Sequence, residues 1–84
     1  MRKPTQARLL MLTMIQDGRV RRTVAGWVVC SQRATAADKR QLTAIREAGW
    51  LALSRDPAAE WESVPVRLTE AARDVLIRYS VEAA

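Results

Sequence analysis

Residues 35–79, TAADKRQLTAIREAGWLALSRDPAAEWESVPVRLTEAARDVLIRY, decide the fold. Thr35 suits a helix N-cap, because its side-chain oxygen can accept from the amides that a helix start leaves unpaired. Asp38, three residues on, forms an imperfect capping box with it. Leu42 and Ile45 then share one helical face, with Ala37 and Ala48 expected beside them. Gly49 can take the left-handed conformation that closes a helix. Trp50-Leu51-Ala52-Leu53 opens a strand over about residues 50–55, and Asp56-Pro57 supplies a turn. In the return strand, residues 62–68, Val64, Val66 and Leu68 alternate with Pro65 and Arg67. Pro65 has no N–H to give a ladder, so it must lie at an edge or face solvent. Thr69 caps a last helix, with Glu70 near the positive end of its dipole. Ala72, Val75, Leu76 and Tyr79 make the core stripe of that helix at i, i+3, i+4 and i+7.

Upstream, a first helix should open near Pro4 or Thr5, since proline fits a helix's first turn. It should end near Gln16, with Gly18 just beyond it. Ala7, Leu9, Leu10, Met11, Leu12, Met14 and Ile15 cover more than one face of it. A helix that apolar in a small domain sits centrally or meets a second chain. In residues 19–30, Val20, Val24, Trp27, Val28 and Val29 favour strand, with Ala25-Gly26 as a candidate turn. Neither residues 23–26 nor residues 31–34 carry a helical pattern, so a short hairpin or irregular strand is expected before Thr35. Cys30 follows Val28-Val29 and reads as a half-buried strand residue. The fold class is α+β: one domain over residues 1–84, with three helices and a small antiparallel sheet that includes a hairpin at about 50–68.

Composition narrows the function. At 84 residues, 49% of them apolar, a chain can bury a core, though a domain this small hides only about 60% of its unfolded surface. One cysteine and no histidine leave no internal disulfide, zinc site or thiol–imidazole pair. No nucleophile–base pair, paired acids in an apolar setting or glycine-rich phosphate loop is present, so a non-enzyme without a cofactor is expected. The longest apolar stretch, Leu9 to Ile15, is far short of the ~20 residues a membrane span needs. Arg2 and Lys3 ahead of it imitate a secretory signal, but Arg8 adjoins the stretch, Gln16-Asp17-Gly18 closes it, and no small-residue cleavage site follows. A cytoplasmic location, away from membranes, is expected.

The net charge of +5 is uneven. Residues 1–46 hold ten basic and two acidic residues, a net of +8, and residues 47–84 hold four basic and seven acidic, a net of −3. A basic half beside a mildly acidic half suggests one polyanion-facing surface, although a solvated charged face has the same composition. Twelve of the fourteen cations are arginine, whose fork suits phosphates and base edges. The same bias accompanies GC-rich genomes.

Three stretches together resemble the bacterial winged-helix transcription regulators. They are Arg46-Glu47-Ala48-Gly49-Trp50-Leu51 at a helix end, the turn at Asp56-Pro57, and the run from Leu68 through Thr69-Glu70-Ala71-Ala72-Arg73 to Leu76. The resemblance covers about half of the chain directly. It implies duplex DNA as partner, with the helix at 35–48 entering the major groove. Lys39, Arg40, Thr43 and Arg46 are then the candidate base and phosphate contacts, with Thr35 at the helix start touching phosphate. Arg55 and Arg67 occupy the wing strands. Arg33, ahead of the recognition helix, and Arg21 and Arg22, as phosphate grips, complete the candidate set. Arg19, Arg21 and Arg22 alternating with Val20 also suit an exposed strand edge that discourages aggregation.

Ala72 stands where the family commonly has glycine, which a helix interior accepts. The acids Asp56, Glu60 and Glu62 at the wing tip repel phosphate. The expected function is sequence-specific binding of double-stranded DNA, as a transcriptional regulator of a bacterium, phage or mobile element. The alternative is a winged-helix protein-interaction module, with a protein partner at the acidic wing around Trp61. Trp27 and Trp50 read as core. A homodimer through the first and last helices is expected from their surplus apolar residues, Ile77 and Val81 among them.

Overall fold

The computed structural model describes residues 4–83 of the chain, and the side chains of residues 4–79. The chain runs α1 (Gln6–Gln16), β1 (Val20–Thr23), β2 (Gly26–Val29), β3 (Gln32–Arg33), α2 (Ala36–Glu47), β4 (Leu51–Leu53), β5 (Val64–Leu68) and α3 (Glu70–Ala83). This is an α+β domain with a five-stranded antiparallel sheet in the order β3-β2-β1-β5-β4.

The helix boundaries follow local chemistry. The Thr5 hydroxyl accepts from the Arg8 amide at 3.2 Å and starts α1. At α2 the capping box is complete: the Asp38 amide donates to Thr35 Oγ1 at 3.1 Å, and the Thr35 amide donates to Asp38 Oδ2 at 3.2 Å. Both α1 and α2 end in a Schellman motif around a glycine with positive φ, Gly18 at +77° and Gly49 at +76°. Beyond Gly18, the Arg19 amide reaches Met14 O and the Gly18 amide reaches Ile15 O; beyond Gly49, the Trp50 amide reaches Ile45 O and the Gly49 amide reaches Arg46 O. Each satisfies carbonyls that the helix end would leave orphaned. The Thr69 hydroxyl donates to Gly49 O at 2.9 Å, which ties the start of α3 to the end of α2.

The expected hairpin between α1 and α2 is present, with a third strand added. Its turn is Val24-Ala25 rather than Ala25-Gly26, because Thr23 pairs with Gly26. Cys30 is an exposed turn residue, not a half-buried strand residue. It and Ser31 form the two-residue loop between Val29 and Gln32, both at positive φ, 52° and 66°. No helix precedes α2 in this interval, and α2 packs instead on α1 and β4.

Pro65 lies on β5, between β1 and β4 in the sheet, with its side chain to solvent. Both flanking ladders stop there: β1 pairs with β5 only at Arg21↔Pro65 and Arg22↔Val64, and β4 stops at Leu53↔Val66. A residue without an amide donor ends pairing at that point. Val64, Val66 and Leu68 face inward as the alternation requires.

One cluster holds the molecule together. Met11, Leu12 and Ile15 of α1 meet Leu42 and Ile45 of α2, Val20, Trp27, Val29, Val66 and Leu68 of the sheet, and Ala72 and Leu76 of α3. Helix α1 is therefore central, which accounts for most of its apolar residues, while Leu10 stays 61% exposed. On α2, Ala37 and Ala48 are exposed and Gln41 and Ala44 take the half-buried places, so the inward face is rotated from the expected one. Among the described residues, no helix is long and apolar enough to cross a membrane.

Candidate nucleic-acid interface

The cations divide by what they touch. The Arg8 Nε donates to Gln41 Oε1 at 2.9 Å and links α1 to α2. Arg21 donates to Ser63, through Nε to the hydroxyl and through Nη2 to the backbone oxygen at 2.6 Å. The Arg22 guanidinium lies over the Trp27 ring, 4.6 Å from its centroid. Arg55 forms an ion pair with Glu62, and Arg73 donates to Leu68 O at 3.3 Å. Each of these side chains has an intramolecular task.

On α2 the situation differs. Lys39, Arg40, Thr43 and Arg46 are all exposed, and among the described residues none has a hydrogen bond or ion pair to another side chain. Their positions follow from the helical period: Leu42 and Ile45 point into the core, so residues 39, 43 and 46 share a row turned away from it, with Arg40 alongside. Glu47 is exposed on the same side, next to Thr43 and Arg40, and places one acid beside these cations.

Thr35 and Asp38 occupy each other at the start of α2. The Asp38 carboxylate sits where an incoming phosphate would meet the helix dipole, so this end of α2 is already served by a negative charge. Lys39, Arg40 and Arg46 carry the cationic surface without it.

Arg21 and Arg22 do not form one grip. Successive strand residues point to opposite faces. Arg22 shares the inner face with Trp27 and Val64, while Arg21 shares the solvent face with Val28 and Pro65. Arg33 and Arg67 are exposed on that solvent face. The candidate residues thus fall on two surfaces, α2 and the outer face of the sheet, with Arg55 in the wing.

The wing, residues 54–63, is closed by its own acid. Glu62 accepts from Arg55 and from the Ala58 amide at 3.3 Å. The Arg55 guanidinium, followed by that amide, holds the Glu62 carboxyl below the usual carboxylate range. Glu62 is therefore a clamp rather than a free repelling charge, while Glu60 is exposed. Trp61 stands 84% exposed at the wing tip. Trp27 is buried, and Trp50 is partly buried against the core.

Comparison with protein-family models, curated proteins and solved structures finds no match for this chain.

Proposed function

We propose that this chain binds double-stranded DNA through α2, as a sequence-specific transcriptional regulator of winged-helix type. The observation that carries this reading is the set of three exposed cations, Lys39, Arg40 and Arg46, with Thr43 between them, on one helix and without internal partners. Among the described residues, Arg8, Arg21 and Arg22 of the first half make internal contacts, whereas all three cations of α2 are free, which favours this helix over a generally basic surface. A single α-helix fits the major groove of B-DNA, where arginine and lysine pair with guanine edges. A cytoplasmic location and the absence of a reaction accompany this reading.

The test is selection of bound duplexes from a random pool, repeated at two salt concentrations. Enrichment of a common site at both salts supports a sequence-reading regulator, and an unenriched pool at both opposes it. A second reading rests on Trp61. An indole 84% exposed beside Glu60 suits a protein-interaction module, in which the acidic wing meets a partner and α2 is a solvated face. Absence of duplex binding at low salt would favour this reading.

A further inference from the structure

The five strands contain four arginines and no aspartate or glutamate. Three of those arginines share the face of the sheet that no helix covers. Arg33 pairs with Val28, Val28 with Arg21, and Arg21 with Pro65, so these four residues form one row across four strands. Arg67 lies two residues beyond Pro65 on the same face, opposite Ala52. Cross-strand neighbours stand about 5 Å apart, which puts Arg33 and Arg21 roughly 10 Å apart at the backbone. Val28 and Pro65 lie between the cations and Ala52 beside Arg67, and among the described residues no acid pairs with any of the three. Arg21 is held in place by its two bonds to Ser63. Arg67 overlooks a cleft of about 310 Å³ that Arg73 also lines. Uncharged spacers between cations suit a phosphate backbone, which is read by charge and position and not by sequence.

This face and the outward row of α2 are turned away from the same core. Leu42 and Ile45 of α2 and Val20, Val29, Val66 and Leu68 of the sheet belong to one cluster, with α1 between them. The surfaces opposite those residues therefore diverge.

We propose that the solvent face of the sheet, through Arg33, Arg21 and Arg67, is a second surface for the phosphate backbone of duplex DNA, so that one domain bridges two duplex segments. The bridging part rests on the reading of α2 given above; the sheet surface does not.

The full 84-residue chain is mixed with a random-sequence duplex tethered to beads and a labelled second duplex, and retention of the label is measured at two salt concentrations. Three variants accompany it. They are Arg33→Gln/Arg67→Gln, which spares the Arg21–Ser63 bonds, the triple variant with Arg21→Gln added, and Lys39→Ala/Arg40→Ala/Arg46→Ala. Thermal melting checks that each is folded. Wild type is expected to retain the label. The Arg33/Arg67 variant should lose at least tenfold of that retention, keep single-duplex affinity within about twofold, and flatten the salt slope of bridging by up to about 1.8, at 0.9 per lost phosphate contact.

Retention equal to wild type in both sheet variants overturns the proposal and points to bridging by a dimer through its two α2 helices. Single-duplex binding by wild type without label retention also overturns it, and leaves α2 standing. If the α2 variant still binds single duplexes as wild type does and the sheet variants do not, the sheet surface holds and the α2 reading falls. No duplex binding by wild type at low salt removes both.

Discussion

Arg22 covers Trp27: its guanidinium stacks on the indole at 4.6 Å, on the helix-bearing side of the sheet. Arg21, one residue earlier, is bonded to Ser63 on the opposite side. Two adjacent arginines that look equivalent in the sequence thus have different tasks. Replacing Arg22 by Ala should cost about 1 kcal/mol from the lost cation–π contact and cover, or about 4–8 °C in a domain of this size. Affinity for duplex DNA should not change. Melting and duplex titration of this variant check both halves; an unchanged melt with weakened binding would place Arg22 on DNA.

Helix capping predicts a second stability effect. Thr35→Ala removes one half of the capping box and should cost about 1 kcal/mol, within the range of 0.5–2 kcal/mol known for such caps. Thr69→Ala should cost a similar amount, because its hydroxyl both caps α3 and reaches Gly49 O. Denaturant unfolding of the two variants measures this, and a midpoint shift within error for both would remove the caps from the account.

Residues 35–79 were legible because their signals are local. Thr35, Gly49 and Thr69 act on amides and carbonyls within a few residues, and Val64, Val66 and Leu68 alternate cleanly. Residues 19–34 were legible only as strand. The β2–β3 turn uses Cys30 and Ser31 at positive φ, where Asn or Gly would ordinarily announce a two-residue turn. The candidate site was legible as charge but not as availability. That Arg55 is neutralised by Glu62, while Arg21 is anchored by Ser63 and keeps its charge, depends on contacts 7 and 42 residues apart in the chain. Spacing alone points Ala37 and Ala48 inward, yet they lie at the two ends of α2 and are exposed.

The wing should respond to acid. Glu62 has a carboxyl held below its ordinary value by Arg55 and the Ala58 amide. Its contribution to wing order is present above the ordinary carboxylate range and is lost as pH falls through the lowered value. Trp61 fluorescence or amide exchange in residues 54–63 should therefore report loosening only below the ordinary carboxylate range. Glu62→Gln should abolish that step. A wing transition near neutral pH, or one that survives in Glu62→Gln, contradicts this assignment. Glu60→Gln, which removes an exposed acid with no clamp, should leave DNA affinity unchanged or raise it.

Leu10 on α1 and Ile77 on α3 are 61% and 65% exposed, and the two helices pack on each other; the side chain of Val81 lies outside the described residues. We propose a two-fold dimer through this pair of helices, which would cover those side chains. It would set two copies of α2 to read half-sites about 34–36 Å apart. Sedimentation should give a dimer that Leu10→Lys or Ile77→Lys dissociates, whereas a 9.4 kDa monomer at high micromolar concentration opposes the idea.

Duplex binding by α2 is tested most directly by titrating wild type and Arg40→Ala and Arg46→Ala variants against a selected site and a random duplex at two ionic strengths. Wild type should bind both duplexes at low salt, with affinity falling steeply as salt rises through counterion release. Each substitution should cost about 1–3 kcal/mol on the selected site where it meets a guanine edge, and relax preference at one base position. Variants that bind both duplexes as tightly as wild type, with the same salt slope, would contradict the assignment of DNA recognition to α2.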